Sequence, residues 1–398
     1  MNRSECIYLD WAATSPPHSD VLREVEETAI RQYGNPSSPH PEGLKAHEFL
    51  DQRRRELAGC LGCGTEELYF TSGGTESNNL ALSSVLASRL EGRGKTPEVL
   101  LSGIEHPSLF TPAARFRTFG MPVKFVPAGP DGAVDPARVL EQLTPETRLL
   151  SVMTLNNETG AIQPVGEIAR GVRDFAAKTG RRIHFHTDAV QAFGKIEIDL
   201  AALDVDSASL SAHKLQGPRG IGALFLSRKT RLSPLILGGD QERGVRPGTE
   251  NLPGIAGFSI AACKALDGFE HRLEKARGIM AGLIQELSRM EGAVILPQRR
   301  IEHPEAYSPY ILAVAFPPIP GEVLVRVLGE RGICISTGSA CSSRKKDRDR
   351  VLRNMGVSAA AAFSAVRIST GAGTTGRHRD RLVEALWAEV PALMRIAR

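Results

Sequence analysis

The stretch Ser207–Gly222, SASLSAHKLQGPRGIG, joins two short runs of small and apolar residues, one ending near Leu210 and the other beginning at Ile221. Both runs are brief and bounded by Gly or Pro, which is typical of buried strands. We therefore predict that Lys214 lies on a turn between two strands. On this stretch alone, Lys214 can also be interpreted as a charged loop residue in solvent. The choice between a site residue and a solvated charge depends on a second segment, whose Asp188 lies 26 residues before Lys214.

The upstream segment is HFHTDAVQ, residues 184–191. Alternating apolar and polar residues predict a strand over Arg182–Thr187, and the small residues after Asp188 predict the start of a helix on which Gln191 shares a face with Asp188. A carboxylate buried at a strand end needs a positive partner. A protonated pyridine nitrogen is one such partner, and an Asp below a pyridinium with a Lys in Schiff-base reach is the arrangement of enzymes that use pyridoxal phosphate. An N-cap role for Asp188 fits the segment equally well.

Composition sets limits on the class of protein. A chain of 398 residues with 41% hydrophobic and 24% charged residues is an ordinary globular protein of about two or three domains. The net charge of +4 gives no support for direct nucleic-acid binding. The first ten residues lack the apolar run of a signal peptide, and no window approaches 18 uninterrupted apolar residues. We therefore expect a cytoplasmic protein with no membrane partner.

Six cysteines are too few for a disulfide framework in a chain of this length. Cys60 and Cys63 form a lone C-x-x-C, which a helix end running into a Gly turn explains better than a zinc site does, so no metal is expected. Cys341 differs, because TGSACSSRKKDRDR is small, polar and then strongly basic. We expect an accessible thiol with a favoured thiolate, on a mobile loop over Ser336–Asp347. The basic run Arg344–Arg350 is either an acceptor-docking surface or the solvated start of a helix.

Polar residues recur where strands are expected to end. Strands alternate with helical stretches between residues 65 and 260, which predicts a mostly parallel sheet covered by helices. Ligands of such sheets gather at the carboxyl ends of the strands. The Gly-rich turn of TSGGTESNNLAL, with Gly74 before a predicted helix, presents free N–H groups that suit a phosphate. The polar residues at these predicted strand ends are Thr75, His106, Asn157, Asp188 and Lys214.

Helical periodicity predicts an amphipathic helix over Leu44–Gly59, with Arg53–Arg55 as its solvated face. After Pro234, the Gly-rich LGGDQERGVRPGTENLPG predicts a long functional or disordered loop. Three of its side chains could reach a phosphate, bound either in the same chain or in a neighbouring subunit: Arg243, Arg246 and Thr249.

The prolonged helical pattern from about residue 255 to 290 is the candidate domain boundary. We predict a large domain over residues 14–257 and a smaller α+β domain formed by residues 1–13 and 258–398. In the small domain, strands are expected at Ile311–Phe316 and at Ala365–Ser369, and Arg367 lies on the second of them.

A set of motifs resembles the cysteine desulfurases in order and approximate spacing, over about residues 7–376: YLDWAATSP, GNPSSPH, FTSGGTESNNLAL, IEHPS, NNETGAIQPV, HTDAVQAFGKI, SAHKLQGPRGIGAL, GGDQERGVRPGT, STGSAC and VRISTG. The set is specific, although no single motif is. The form of the Cys341 motif resembles the branch whose catalytic Cys is carried on a longer flexible loop.

The resemblance implies a fold-type-I enzyme that uses pyridoxal 5'-phosphate to release sulfur from L-cysteine, leaving alanine and a persulfide on Cys341. It also implies a homodimer and a sulfur-acceptor protein, either an iron–sulfur scaffold or a tRNA-thiolation enzyme. By position, Lys214 would be the Schiff-base lysine, Asp188 the pyridinium partner and Arg367 the partner of the substrate carboxylate. The remaining contacts that it implies are Gln191 and Asn157 on the ring oxygen, with Asn157 also at the substrate, His106 on the ring face with a catalytic role, and Gly74, Thr75, Ser211 and His213 on the phosphate, joined by Thr249 of the other subunit.

The sequence departs from the family pattern at several positions, none of which removes a group that the chemistry needs: Trp11, Leu215-Gln216, Asp240, Pro247 and Gly371-Ala372. Two alternatives stay open. The first is a selenocysteine lyase or another PLP lyase or aminotransferase of the same fold, which would not need Cys341. The second is a non-catalytic scaffold, against which the retained Lys214, Asp188, Cys341 and Arg367 argue.

Overall fold

The computed structural model describes residues 6–90, 96–338 and 349–397, with the backbone alone at 83, 84 and 86–90. Cys341 lies outside the described residues, as do most of the predicted loop Ser336–Asp347 and positions 344–348 of the basic run. The strands within the described ranges are β1 (Ile7–Tyr8), β2 (Leu68–Thr71), β3 (Glu98–Ser102), β4 (Val123–Val126), β5 (Thr147–Ser151), β6 (His184–Asp188), β7 (Ser207–Ser211), β8 (Gly222–Leu226), β9 (Val294–Leu296), β10 (Ile311–Ala315), β11 (Ile333–Cys334) and β12 (Ala365–Ser369).

The helices of the same ranges alternate with these strands: α1 (Ser19–Arg31), α2 (Pro41–Leu61), α3 (Gly74–Leu90), α4 (Pro107–Phe116), α5 (Pro136–Glu141), α6 (Val165–Thr179), α7 (Leu252–Leu266), α8 (Phe269–Arg289), α9 (Gly321–Glu330), α10 (Arg350–Asn354), α11 (Ala359–Ser364) and α12 (Gly376–Ala397). Helix α2 ends at Leu61, and Gly62 follows with a φ of 67°, so the C-x-x-C lies at a helix end as predicted. None of the helices in the described part of the chain is both long and apolar enough to cross a membrane.

The central sheet has seven strands in the order β2-β8-β7-β6-β5-β3-β4. The neighbours from β7 to β4 are parallel, whereas β8 runs antiparallel to both β2 and β7. Strands β7 and β8 flank the 3-10 turn Ala212–Lys214, so the predicted strand–turn–strand around Lys214 is confirmed. The predicted mostly parallel sheet is confirmed as well.

Both faces of this sheet are buried, which explains the nearly continuous apolar runs of its strands. On β3, Leu100 packs into the core that includes α2, α6 and α7, while Val99 and Leu101 pack into a second core with α3 and α4. Leu150 and Leu149 of β5 divide in the same way. The period of two along each strand therefore places helices on both sides of the sheet.

A second, antiparallel sheet has the order β12-β10-β9, and β1 pairs in parallel with β11. The strands predicted at Ile311–Phe316 and Ala365–Ser369 are confirmed as β10 and β12. Helices α8, α9 and α12 pack on this part of the chain through a separate core. The division at residues 257 and 258 stays a prediction. That boundary falls inside α7, whose Ile255 and Ala262 belong to the same core.

Two expectations from the sequence are wrong. The strand β6 extends to Asp188, and turns rather than a helix follow it: Phe193 N–H bonds to the carbonyl of Ala189, and Gly194 at a φ of 70° ends that single helical turn. Arg54 is buried rather than solvated, because Glu242 supplies a buried carboxylate to it from the loop after residue 234.

Candidate active site

One cavity of about 220 Å³ collects the polar residues predicted at the strand ends. It is lined by all five of them, Thr75, His106, Asn157, Asp188 and Lys214. Strands β3, β5, β6 and β7 are parallel neighbours, so their carboxyl ends meet at one edge of the sheet. The other predicted site residues that line this cavity are Gly74, Gln191, Ser211, His213 and Arg367.

The amino-terminal arm, defined here as residues 10–15, closes one side of the cavity. Lys214 Nζ donates to the carbonyl oxygens of Ala12 at 2.6 Å and Ala13 at 2.7 Å. Ser15 Oγ donates to the carbonyl of His213 at 2.7 Å and so ties the arm to the turn that carries the lysine. The arm therefore orients the amine of Lys214 through its backbone.

Asp188 is held by a buried hydrogen-bond network that the sequence analysis missed. Asn78 Nδ2 donates to Asp188 Oδ2 at 2.8 Å, and Asn78 Oδ1 lies 3.0 Å from His186 Nε2. Burial lowers the pKa of His186 to about 3, so its ring is neutral and Nε2 carries the proton that Asn78 Oδ1 accepts. Asp188 Oδ1 accepts the N–H of Val190 at 3.0 Å, so the cap-like role left open for this carboxylate also exists. Asn78 follows Thr75 by three residues on α3, a spacing that could have indicated it.

His106 is a neutral ring at the start of α4. Its Nδ1 accepts the N–H of Ser108 at 3.2 Å, and burial lowers its pKa, so the hydrogen of the neutral ring is on Nε2. The neighbouring Glu105 is fully buried, and burial raises its pKa to about 8. Its Oε1 accepts hydrogen bonds of 2.7 Å from Ser102 Oγ and Met153 N–H, which join the end of β3 to the segment after β5.

A second group of residues that line the cavity suits an anion. Gly74 and Thr75 form the first turn of α3, whose leading N–H groups and dipole favour negative charge. A Cβ on Gly74 would lie 2.6 Å from Val190 Cγ2, so a larger residue would require Val190 to move. Ser211 and His213 line the same cavity, and burial lowers the pKa of His213 to about 4. A helix start that favours anions, a carboxylate and an amine in one cavity fit the phosphate, pyridine nitrogen and aldehyde of pyridoxal phosphate.

The loop after residue 234 does not bring its three predicted residues into the cavity of its own chain. Arg243 donates to the backbone carbonyls of residues 65, 66 and 68. Arg246 Nε lies 2.9 Å from Glu76 Oε1. Thr249 is exposed and does not line the cavity. Both arginines are therefore held by contacts within the chain.

Arg367 is buried at the cavity wall, with 2% of its surface exposed. Its Nη1 donates to the carbonyls of Asn157 and Gly338 at 2.9 Å each, and its Nη2 lies 2.7 Å from Asp10 Oδ1. Its Nε has no hydrogen-bond partner among the residues that the structure describes. Asp10 was missed as a site residue, although it follows β1 by two positions. Burial raises the pKa of the nearby Glu158 to about 7, against the opposing effect of Arg367.

A lysine, a carboxylate and a helix start that favours anions lie together at the carboxyl edge of a mostly parallel sheet, and this set of groups matches the one that PLP enzymes use. The model of the aminotransferase class-V family matches residues 7–382. The chain belongs to this family, which is PLP-dependent.

Relatives of similar length share about a third of their residues with the chain. A NifS/IcsS protein homolog of Lactobacillus delbrueckii subsp. bulgaricus is 37% identical, over 95% of this chain and 96% of the relative. Cysteine desulfurase IscS 1 of Archaeoglobus fulgidus is 36% identical, over 95% of each chain. The solved structure of a NIFS-like protein is 33% identical and has a TM-score of 0.87, covering 98% of this chain and 100% of that one. Sequence and fold therefore agree on the family over almost the whole chain.

Proposed function

We propose that this protein is a PLP-dependent cysteine desulfurase, which converts L-cysteine to L-alanine and transfers the sulfur to Cys341 as a persulfide. The observation that carries the proposal is that Lys214, Asp188 and Arg367 line one cavity. Relatives over the whole chain that are named cysteine desulfurases support the choice of reaction.

The chain's own residues would hold the cofactor along the length of the cavity. Lys214 would bind the aldehyde carbon and Asp188 the pyridine nitrogen, which keeps that nitrogen protonated so that the bound ring withdraws electrons from the substrate. Gln191 and Asn157 would bind the ring oxygen, and His106 would cover the ring face. The phosphate would lie at the start of α3 with Gly74, Thr75, Ser211 and His213, joined by Thr249 of the partner subunit.

Arg367 would bind the substrate carboxylate. Of its five N–H donors, the two carbonyls and Asp10 take three, which leaves Nε and the second hydrogen of Nη2 for the carboxylate. A rigid, buried guanidinium suits a planar carboxylate. Lys214, once its amine is free, lies at the cavity wall where it can take the proton from the substrate Cα, and the carbonyls of Ala12 and Ala13 orient its lone pair.

Cys341 would act as the nucleophile toward the substrate sulfur. Its thiolate forms a new S–S bond, the Cβ–S bond of the substrate breaks, and the electron pair stays with the substrate carbon, which is protonated to give alanine. The sulfur thus leaves as a persulfide on the enzyme. The basic sequence after Cys341 supports a favoured thiolate.

The assembly proposed is a homodimer that works with a sulfur-acceptor protein in the cytoplasm. Thr249 is exposed and lies outside its own cavity, so a phosphate contact by this residue requires a second copy. Leu235, Ile236 and Leu237 of the same loop are exposed apolar residues that such a contact would cover. The acceptor would be an iron–sulfur scaffold or a tRNA-thiolation enzyme. A compartment that keeps thiols reduced suits a persulfide carrier.

The test is to reconstitute the purified protein with PLP, record its absorbance spectrum, and assay alanine and sulfide formation from L-cysteine with a reductant present. We expect a visible absorbance band and equal amounts of the two products. Lys214→Ala should lack the visible band of the bound cofactor. A colourless wild-type protein after reconstitution, or one that forms no alanine, would overturn the proposal.

A further inference from the structure

The amide of Gln191 has a fixed orientation in this structure. Its Oε1 accepts a hydrogen bond of 2.7 Å from Lys195 Nζ, and its Nε2 donates one of 2.8 Å to the carbonyl of Ala12. A protonated lysine amine can only donate, and a backbone carbonyl can only accept. Both neighbours therefore require the same amide orientation, and the reverse one would place like groups together on both sides.

That orientation leaves one N–H of Gln191 for a further partner. An amide nitrogen carries two hydrogens, and Ala12 takes one of them. Gln191 lines the cavity beside Asp188 and Lys214, which is where the ring of the cofactor would lie. Within the part of the chain that the structure describes, this N–H makes no hydrogen bond, and a ring oxygen with negative charge is an acceptor that would suit it.

Lys195 is a buried lysine, with 9% of its surface exposed. Burial, together with the nearby cations Lys214 and Arg367, lowers its pKa to about 7. It also lines a second cavity of about 410 Å³, together with Lys264, Arg272, Lys275, His271 and Asp267. Burial of an ammonium group is unfavourable unless the group is paired. A methionine of similar length would fill the space without that cost, so packing alone does not explain a lysine here.

We propose that Lys195 is a positioning residue, which holds the carbonyl of Gln191 so that the remaining amide N–H of Gln191 faces the ring oxygen of the cofactor. The inference rests on the proposed function, because it assumes that PLP occupies the cavity. Lys195 acts through Gln191 and contacts neither cofactor nor substrate.

We expect the loss of Lys195 to shift the pH midpoint at which the visible absorbance band of the PLP-loaded protein changes. An N–H donor on the ring oxygen stabilises its negative charge and so lowers the proton affinity of the nearby nitrogen that links Lys214 to the cofactor. Loss of Lys195 removes one of the two hydrogen bonds that hold the amide, so its position is less fixed and this donor is weakened. The midpoint of the spectral change should therefore rise, by roughly one pH unit.

The test is a spectrophotometric pH titration of PLP-loaded protein without substrate. Lys195→Met should raise the midpoint, while Lys275→Met, an exposed lysine of the same second cavity, should leave it at the wild-type value. Lys195→Arg keeps a cationic donor and should stay near wild type, and it serves as the informative variant if Lys195→Met does not fold. In a Gln191→Met background, Lys195→Met should produce no further shift, because the amide through which it acts is gone.

Three results have distinct meanings. An unmoved midpoint in Lys195→Met overturns the inference. An equal shift in the Gln191→Met background also overturns it, since Lys195 would then act by its charge alone. A wild-type protein with no visible band contradicts the proposed function instead, so the two failures are distinguishable.

Discussion

Asp10 Oδ1 lies 2.7 Å from Arg367 Nη2, so the amino-terminal arm and the strand β12 jointly build the wall at which we expect the substrate carboxylate. The two residues are 357 positions apart in the sequence. The carboxylate of Asp10 fixes the guanidinium before substrate arrives, and the carbonyls of Asn157 and Gly338 hold its other end. Such a pre-oriented group loses little freedom on binding.

Arg367→Lys should raise KM for L-cysteine strongly, because a single ammonium cannot replace a planar guanidinium held at three points. Because lysine keeps the charge but not the planar fit, the loss should lie toward the lower end of the roughly 2–5 kcal/mol that removal of one partner of a buried charge pair costs. Steady-state kinetics with the spectrum of the bound cofactor as a control would measure it. Arg331→Lys, at an exposed pair with Glu389, is the matched control. An unchanged KM would mean that another group binds the carboxylate.

Cys341→Ser should keep the cofactor spectrum and stop persulfide formation, because the hydroxyl is a poor nucleophile toward sulfur. Intact-mass spectrometry after exposure to L-cysteine should find one or more added sulfur atoms on the wild-type protein and none at position 341 of the variant. Cys60→Ser, at the end of α2, should behave as wild type. Normal release of sulfide by Cys341→Ser would favour a lyase that does not use this thiol.

Asn78→Leu should weaken PLP binding, because Asp188 loses the donor that holds its Oδ2, and His186 loses the acceptor of its Nε2 proton. Each buried polar group left unpaired costs about 1–3 kcal/mol. Titration of the apoprotein with PLP would measure the loss of cofactor affinity, and denaturation of the apoprotein would measure the loss of fold stability. An unaltered affinity for PLP would show that Asp188 does not depend on this amide.

Arg54→Met should destabilise the fold by about 3–5 kcal/mol, because it leaves the carboxylate of Glu242 buried without its partner. Nη1 and Nη2 of Arg54 donate to that carboxylate at 2.8 and 2.6 Å. Glu242 also accepts the N–H of Phe70. Chemical denaturation measures the loss, with the exposed neighbour Arg55→Met as the control. A loss no greater than that of the control would rule out a stabilising role for the pair.

Glu105 should make the protein less stable at alkaline pH. Its folded pKa of about 8 lies above the usual 4.5, so the folded state binds a proton that the unfolded state releases. Its contribution is full below about pH 4.5 and is lost as the pH rises through 8. In Glu105→Gln, the free energy of unfolding should therefore fall less between about pH 6 and pH 8.5 than in wild type. The exposed Glu141→Gln should keep the wild-type dependence, and the same slope in both variants would refute this role.

The sequence was sufficient for the features that depend on local pattern. Alternation and short apolar runs predicted β6, β7 and β8, and the rule that ligands gather at strand ends placed five polar residues around one cavity. The predicted helix after Asp188 failed because small residues allow a helix without requiring one, and Gly194 closes the turn instead.

The partners of the site could not be predicted, because they come from distant parts of the chain. Periodicity identified α2 but gave no sign that Arg54 would meet a carboxylate 188 residues away. The pairing of Asp10 with Arg367, 357 positions away, likewise depends on how the arm packs against β12 in three dimensions. Residues that bind each other across a fold leave no periodic pattern in the sequence.

The arm at residues 10–15 has a practical consequence for anyone who prepares this protein. It supplies the two carbonyls that hold Lys214 and the carboxylate that holds Arg367. Proteolysis that removes residues 1–13 would therefore delete groups that hold Lys214 and Arg367 at the cavity, although it would remove no strand of the seven-stranded sheet. A purification tag is better fused after α12, and an inactive but well-folded preparation should first be checked by amino-terminal sequencing.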